Sequence, residues 1–322
     1  MNDFLTVLAA VLPVFCLAAT GVILRRVEWL TEEADASLMR VVVNVLTPAL
    51  ILQVVLGNSA LRQAENLLVA PMLGFTEVAL GVGLAWLFRH RTGLQTEKGL
   101  RTFAAQTGIQ NYGYVPLPLI LTLFPGDTAG VLFVHNLGVD IAMWSVCLVA
   151  LGHGSLREWR RLINPPILSI VIAVALNVAG AEHWMPRFVL TTAGMLGACA
   201  FPLGIILIGA TMADSIGELR RHFDLRTVAW ASLLRLGILP LVILGMAWVL
   251  PLGKELKQIL LIEAAMPVAV FPIVLARIYG GDPATAVRIV IGTSALSFLT
   301  IPIWLKIGLR VLGLSHFGNS GS

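Results

Sequence analysis

Long apolar runs alternate with short charged clusters along the whole chain, and most runs are close to the twenty or so residues that carry an α-helix across a bilayer. Ten such stretches are predicted, over about 4–24, 38–57, 67–88, 100–122, 129–151, 166–181, 188–213, 226–250, 257–279 and 284–311. The connections are short and no detached soluble segment is evident, so the pattern predicts an all-α membrane protein.

Two of these stretches are interrupted in the same way. The fourth contains Gln106-Thr-Gly-Ile-Gln-Asn-Tyr-Gly-Tyr-Val-Pro116-Leu-Pro118, and the ninth contains Glu263-Ala-Ala-Met-Pro267-Val-Ala-Val-Phe-Pro272. Pro118 and Pro272 lie 154 residues apart, and the Gly-Asp pairs that follow, Gly126-Asp127 and Gly281-Asp282, lie 155 apart. Leu46-Thr-Pro48 in the second stretch has a counterpart in Ala200-Phe-Pro202 in the seventh, again 154 residues on. The chain therefore reads as two five-span units. Five is odd, so the second unit enters the membrane from the opposite face and the repeat is inverted. The predicted organisation is a first repeat over 1–153, an Arg-rich cytoplasmic link over 154–165, a second repeat over 166–313 and a flexible polar tail over 314–322. Proline-broken spans at matching places in inverted halves mark secondary transporters, whose binding site lies where the breaks meet.

Composition agrees: 57% of residues are apolar and 12% charged, against about 25% charged in soluble domains. The net charge of +4 does not point to nucleic acid, because the basic residues are unevenly distributed. Fifteen lie in the connections after spans 1, 3, 5, 7 and 9, such as Arg25, Arg89, Arg157, Arg220 and Arg277, and six lie on the other side. The positive-inside bias places both termini outside the cytoplasm. Residues 1–24 lack a basic leader and run into Arg25-Arg26, so they read as a first span rather than a cleaved signal. Cys16, Cys147 and Cys199 have no paired spacing and read as small buried residues.

The breaks carry the candidate chemistry. Proline removes a donor and blocks the carbonyl four residues earlier, so span 4 is expected to unwind around 110–117 and restart near Pro116 and Pro118. The restarted helix presents a partly positive end that suits a carboxylate, and Pro267 and Pro272 do the same in span 9. Gln110, Asn111 and Tyr112 offer neutral donors there without the cost of a buried cation. The alternative is that such amides satisfy the carbonyls freed by the prolines. Glu263, one turn before Pro267, is a candidate for a coupling H⁺ or Na⁺, or else a helix-end residue near the outer surface beside Lys254 and Lys257. Gln106, Asp140 and His135 are further ion-coupling candidates, with a packing role as the alternative for His135. Arg235, deep in span 8, needs a partner, and Glu77 in span 3 is the expected ion pair. Asn44, one turn before Pro48, is a weaker substrate candidate or a patch for the kinked backbone. Gly204, Gly209 and Gly292 read as close-packing positions. No metal-ligating cluster, cofactor motif or paired catalytic residues stand out, which argues against an enzyme.

At this point the chain resembles the auxin efflux carrier family, which includes plant carriers and bacterial malonate or malate permeases. The likeness rests on Asn44-Val-Leu-Thr-Pro-Ala-Leu50, Gln110-Asn-Tyr-Gly-Tyr-Val-Pro-Leu-Pro118, Pro202-Leu-Gly-Ile-Ile-Leu-Ile-Gly209 and Arg277-Ile-Tyr-Gly-Gly-Asp282, and covers nearly the whole chain. The resemblance implies a bile-acid-symporter-like fold with spans 4 and 9 crossing at their breaks, elevator-type transport of small organic anions, and a homodimer in an inner membrane. It also implies a carboxylate site at Asn111 with Gln110 nearby, and Glu263 with Gln106 as a loose echo of the symporters' Na⁺ ligands that leaves sodium unassigned. A sensor or channel built on a transporter-like core is the competing expectation.

Overall fold

Helix forms over each of the ten apolar stretches in the computed structural model, and no strand occurs among the described residues. The structure describes residues 2–153, 160, 163–221 and 224–314, so most of the predicted link over 154–165 and the predicted tail beyond Leu314 lie outside the described residues. The helices are α1 (Asn2–Arg26), α2 (Glu32–Val55), α3 (Ala64–Phe88), α4 (Glu97–Gly108), α5 (Pro116–Leu123), α6 (Thr128–Ala150), α7 (Pro165–Val178), α8 (Arg187–Arg221), α9 (Leu225–Val249), α10 (Lys254–Ala265), α11 (Pro272–Ile278) and α12 (Pro283–Val311). By length and composition, α2, α3, α6, α8, α9 and α12 can each cross a membrane. The fourth and ninth apolar stretches are each shared between two short helices, α4 with α5 and α10 with α11.

Polar side chains set several helix starts. Asp224 Oδ1 accepts from the N–H groups of Arg226 and Thr227, and Asp282 Oδ1 from those of Ala284 and Thr285. Asn164 and Thr96 cap α7 and α4 in the same manner, each satisfying a donor that a helix leaves free at its first turn. Three long helices contain a π-turn, at 42–46 in α2, 143–147 in α6 and 233–238 in α9. In α2 and α9 the turn precedes a proline, Pro48 and Pro240. Thr47 N–H reaches back five residues to Val42 O, a local widening that absorbs the break in the i→i−4 ladder.

Helices α1, α2, α7 and α8 pack on one another, as do α3, α4, α6, α9, α10 and α12, with α1–α12, α1–α5 and α2–α6 among the contacts between the two sets. Small residues bring helices together within each set. A Cβ on Gly138 of α6 would lie 1.7 Å from Pro71 O of α3, and one on Gly209 of α8 would lie 2.0 Å from Ala18 O of α1. Polar junctions at the helix ends tie the elements further. Asn58, just after α2, donates to Asp127 O at 2.8 Å and accepts at its own carbonyl from Asn177 Nδ2 of α7 at 2.9 Å. Asp127 also takes the Ser59 hydroxyl and the Ala60 N–H.

Candidate functional site

Both interruptions begin where a helix ends in an extended residue. Helix α4 ends at Gly108 and Ile109 turns extended, while α10 ends at Ala265 and Met266, which precedes Pro267, is extended as well. The two extended segments lie antiparallel against each other, with Gln110 opposite Val268. Asn111 N–H donates to Pro267 O at 2.8 Å and Ala269 N–H to Ile109 O at 2.9 Å. The non-helical stretch runs from 109 to 115, one residue ahead of the expected 110–117 at its start.

Prolines strand carbonyls, and side chains from other helices take them. Pro116 removes the helical partner of Tyr112 O, and Asn136 Nδ2 of α6 donates there at 2.9 Å. Pro267 removes the i+4 donor of Glu263 O, which accepts from Met266 N–H at 3.2 Å and from Arg235 Nη2 at 2.9 Å, while Arg235 Nε reaches Met266 O at 3.0 Å. Pro240 strands Leu236 O, which accepts from Trp304 Nε1 at 2.6 Å. Gln106 Nε2 donates to Ala269 O at 2.7 Å, so its amide serves the facing backbone. Arg235 thus corrects the expected ion pair with Glu77: its direct partners are the carbonyls at the C-terminal end of α10, where the helix dipole favours a cation. Glu77 and Glu263 both lie close enough to act on its charge.

Behind the crossing is a buried polar cluster. Glu77, Gln110, His135, Arg235 and Glu263 all expose 0% of their surface. Gln110 Nε2 donates to Glu77 Oε2 at 2.8 Å, and His135 Nε2 lies 3.4 Å from the same oxygen. Among the described residues both Glu263 oxygens, Glu77 Oε1 and Arg235 Nη1 lack a partner in hydrogen-bond geometry; Glu77, Arg235 and Gln110 are the electrostatic neighbours of Glu263. Glu263 is therefore an interior group, not the outer-surface residue its nearness to Lys254 allowed. Two carboxylates around one guanidinium leave one acid in excess, which a proton or a monovalent cation would balance. Among the described residues no group of three or more His, Cys, Asp or Glu is arranged to hold a metal ion.

The other face of the crossing is more open. Asn111, Tyr112 and residues 113–115 are half-buried, and the Asn111 amide makes no hydrogen bond among the described residues. Pro116 and Pro118, both buried, have no N–H, and Leu117 N–H is taken by Gly113 O at 3.3 Å. The free backbone donors expected at the start of α5 therefore lie in the turn before it, where the N–H groups of Gly113, Tyr114 and Val115 have no backbone partner. Pro267 and Pro272 are buried in the second break. Asp140 of α6 accepts from Tyr112 Oη at 2.8 Å. Trp144, one turn further along α6, meets the ring of Phe271 edge-on at 6.2 Å between centroids. Asn44 is exposed on the π-turn of α2. Sequence reasoning missed Trp144 and Phe271; the spacing of Asn136, Asp140 and Trp144 by four residues was the available signal for a shared helix face.

A family model described as membrane transport protein matches residues 6–153 and 155–305. The chain is similar to an uncharacterized transporter of Methanothermobacter thermautotrophicus, 29% identical over 303 residues that cover 91% of this chain and 96% of the relative. It is also similar to an uncharacterized transporter of Methanocaldococcus jannaschii, 25% identical over 283 residues, or 85% and 90% of the two chains.

Proposed function

This chain belongs to the membrane transport protein family, the auxin efflux carrier group that its motifs resemble, and from that premise we propose that it is a secondary active transporter of small organic anions. The observation that carries the reading is the direct backbone pairing of the two breaks, Asn111 N–H to Pro267 O and Ala269 N–H to Ile109 O. That pairing brings the unpartnered Asn111 amide and the free N–H groups of residues 113–115 to one half-buried place. Irregular backbone at membrane depth is tolerated where it lines a cavity, and several convergent neutral donors suit a carboxylate.

In this reading the ten apolar stretches are ten spans in two inverted five-span repeats, and α4–α5 and α10–α11 are the two halves of broken, crossing spans. The anion binds at Asn111, with Tyr112 and the prolines at 116, 118, 267 and 272 shaping the turn. Transport proceeds by elevator-type movement of the set containing α3–α6 and α9–α12 against α1, α2, α7 and α8. The excess acid among Glu77, Glu263 and Arg235, with His135 beside it, is the coupling site for H⁺ or Na⁺. The protein resides in the cytoplasmic membrane with both termini outside, as a homodimer.

Reconstituted protein tests this directly. Asn111→Ala is expected to lower uptake of radiolabelled malonate or malate into proteoliposomes by at least about tenfold, roughly the loss of one good charge-assisted hydrogen bond, with an unchanged melting profile. Undiminished uptake by that variant removes the site. Glu263→Gln is expected to alter the dependence of uptake on an imposed pH or Na⁺ gradient, and an unaltered dependence removes the coupling role.

A further inference from the structure

One helix face touches both breaks. Asn136, Asp140 and Trp144 succeed each other at four-residue intervals on α6. Asn136 holds Tyr112 O, Asp140 holds Tyr112 Oη, and Trp144 packs on Phe271, the residue immediately before Pro272. The open side of the crossing is thus walled by one carboxylate and three aromatic rings, from Tyr112, Trp144 and Phe271. Asp140 is half-buried, and its only hydrogen bond among the described residues is the one from Tyr112, which leaves Oδ2 unused there. Among the described residues no Lys, Arg or His pairs with it, whereas the carboxylates behind the crossing have Arg235 and His135. A substrate with nothing but negative charge would meet an unpaired like charge here. A carboxylate flanked by aromatic faces suits an amine, which it can accept from directly while the rings attract its charge.

We propose that the substrate carries an amino group as well as its carboxylate, and that Asp140 is the residue that selects for it. This deepens the anion-transport reading and rests on it: the carboxylate lies against Asn111 and the donors of residues 113–115, and the amine against Asp140 between Tyr112, Trp144 and Phe271. The preferred substrate class is then a small amino acid or related amino carboxylate, taken over a plain mono- or dicarboxylate.

The experiment uses the purified full chain and four-carbon probes: butanoate, succinate, and 2-, 3- and 4-aminobutanoate. Binding is read as a concentration-dependent rise in melting temperature and as quenching of tryptophan fluorescence. At least one aminobutanoate is expected to bind about tenfold or more tightly than butanoate, with the preferred position of the amine reporting the spacing between the two subsites. In Asp140→Asn that ratio is expected to collapse to within about twofold, and Asp140→Glu is expected to restore part of it; this pair separates lost charge from lost folding. If butanoate or succinate binds and no aminobutanoate binds more tightly than butanoate, the proposal is overturned while the anion reading stands. An aminobutanoate preference that survives in Asp140→Asn also overturns it. If none of the probes binds, both readings are overturned.

Discussion

A proline inside a helix costs more than one missing donor, because the carbonyl it strands needs another partner wherever water is absent. Tyr112 O, Glu263 O and Leu236 O show how this chain meets that requirement, through Asn136, Arg235 and Trp304 respectively, each from a different helix. The arginine has the largest task, since it bonds two carbonyls at the end of α10 and its charge lies beside two buried acids. Replacing it with an apolar residue of similar length leaves both sets of groups uncompensated, a loss of about 3–5 kcal/mol for a buried charged partner. Arg235→Met is therefore expected to lower the melting temperature in detergent by more than about 5 °C. Arg235→Lys should fall in between, because an ammonium keeps the charge but lacks the rigid planar fork that holds both carbonyls. Trp304→Phe removes a single donor and should cost about 1–3 kcal/mol, readable as a smaller shift in the same assay. At this scale the prolines and the polar residues near them were legible from the sequence, but their partners were not. The 31 and 28 positions between Arg235 and its carbonyls at Met266 and Glu263 leave no periodic trace, which is why Glu77 was the natural guess.

Helix pairs in a bilayer gain little from burying apolar surface, so close backbone approach and dispersion carry their association. The α3–α6 contact depends on this, with Gly138 positioned so that a methyl group would fall 1.7 Å from Pro71 O. Backbone cannot yield as a flexible side chain can. Gly138→Ala is expected to force the two helices apart and to abolish recovery of monodisperse protein in detergent. Gly83 of α3 makes the contrasting case, since a methyl there meets nothing within 4 Å. Gly83→Ala should be neutral or stabilising by up to about 1 kcal/mol through helix propensity. Equal behaviour of the two variants would dissociate the geometry from stability. Hydropathy located the helices well, with α7 at Pro165–Val178 against an expected 166–181. It missed the polar ends of α2 and α8, which begin at Glu32 and extend to Arg221, because the charged residues in those stretches of sequence interrupt an apolar window. The π-turns were illegible too, since one extra residue in a turn barely changes the apolar pattern.

The two Gly-Asp pairs that match across the halves of the sequence do not do the same work. Asp282 caps α12, whereas Asp127, its partner in the Gly-Asp repeat, joins the loop after α2 through Ser59 and Ala60. Such differences matter for the proposed movement, because any contact between the two helix sets must be remade on each cycle. Tyr114 makes one of these contacts. It leaves the first break beside the proposed anion site and lies against Gly204 of α8, where an added Cβ would come 2.2 Å from Cε1 of its ring. If the set carrying the crossing travels along α8, this ring passes over Gly204, and the glycine is there to let it pass. Gly204→Val should then leave the packing of α1 on α8 intact, because that contact runs through Gly209 and Gly21 instead. It should block transport by fixing the ring on one side of the new side chain. The expected result is uptake reduced by at least about tenfold in proteoliposomes, with the melting temperature and the ligand-induced stabilisation of the detergent-solubilised protein largely kept. Wild-type uptake by Gly204→Val would mean that Tyr114 does not cross this point, and the direction of travel would have to be sought along another face of α8.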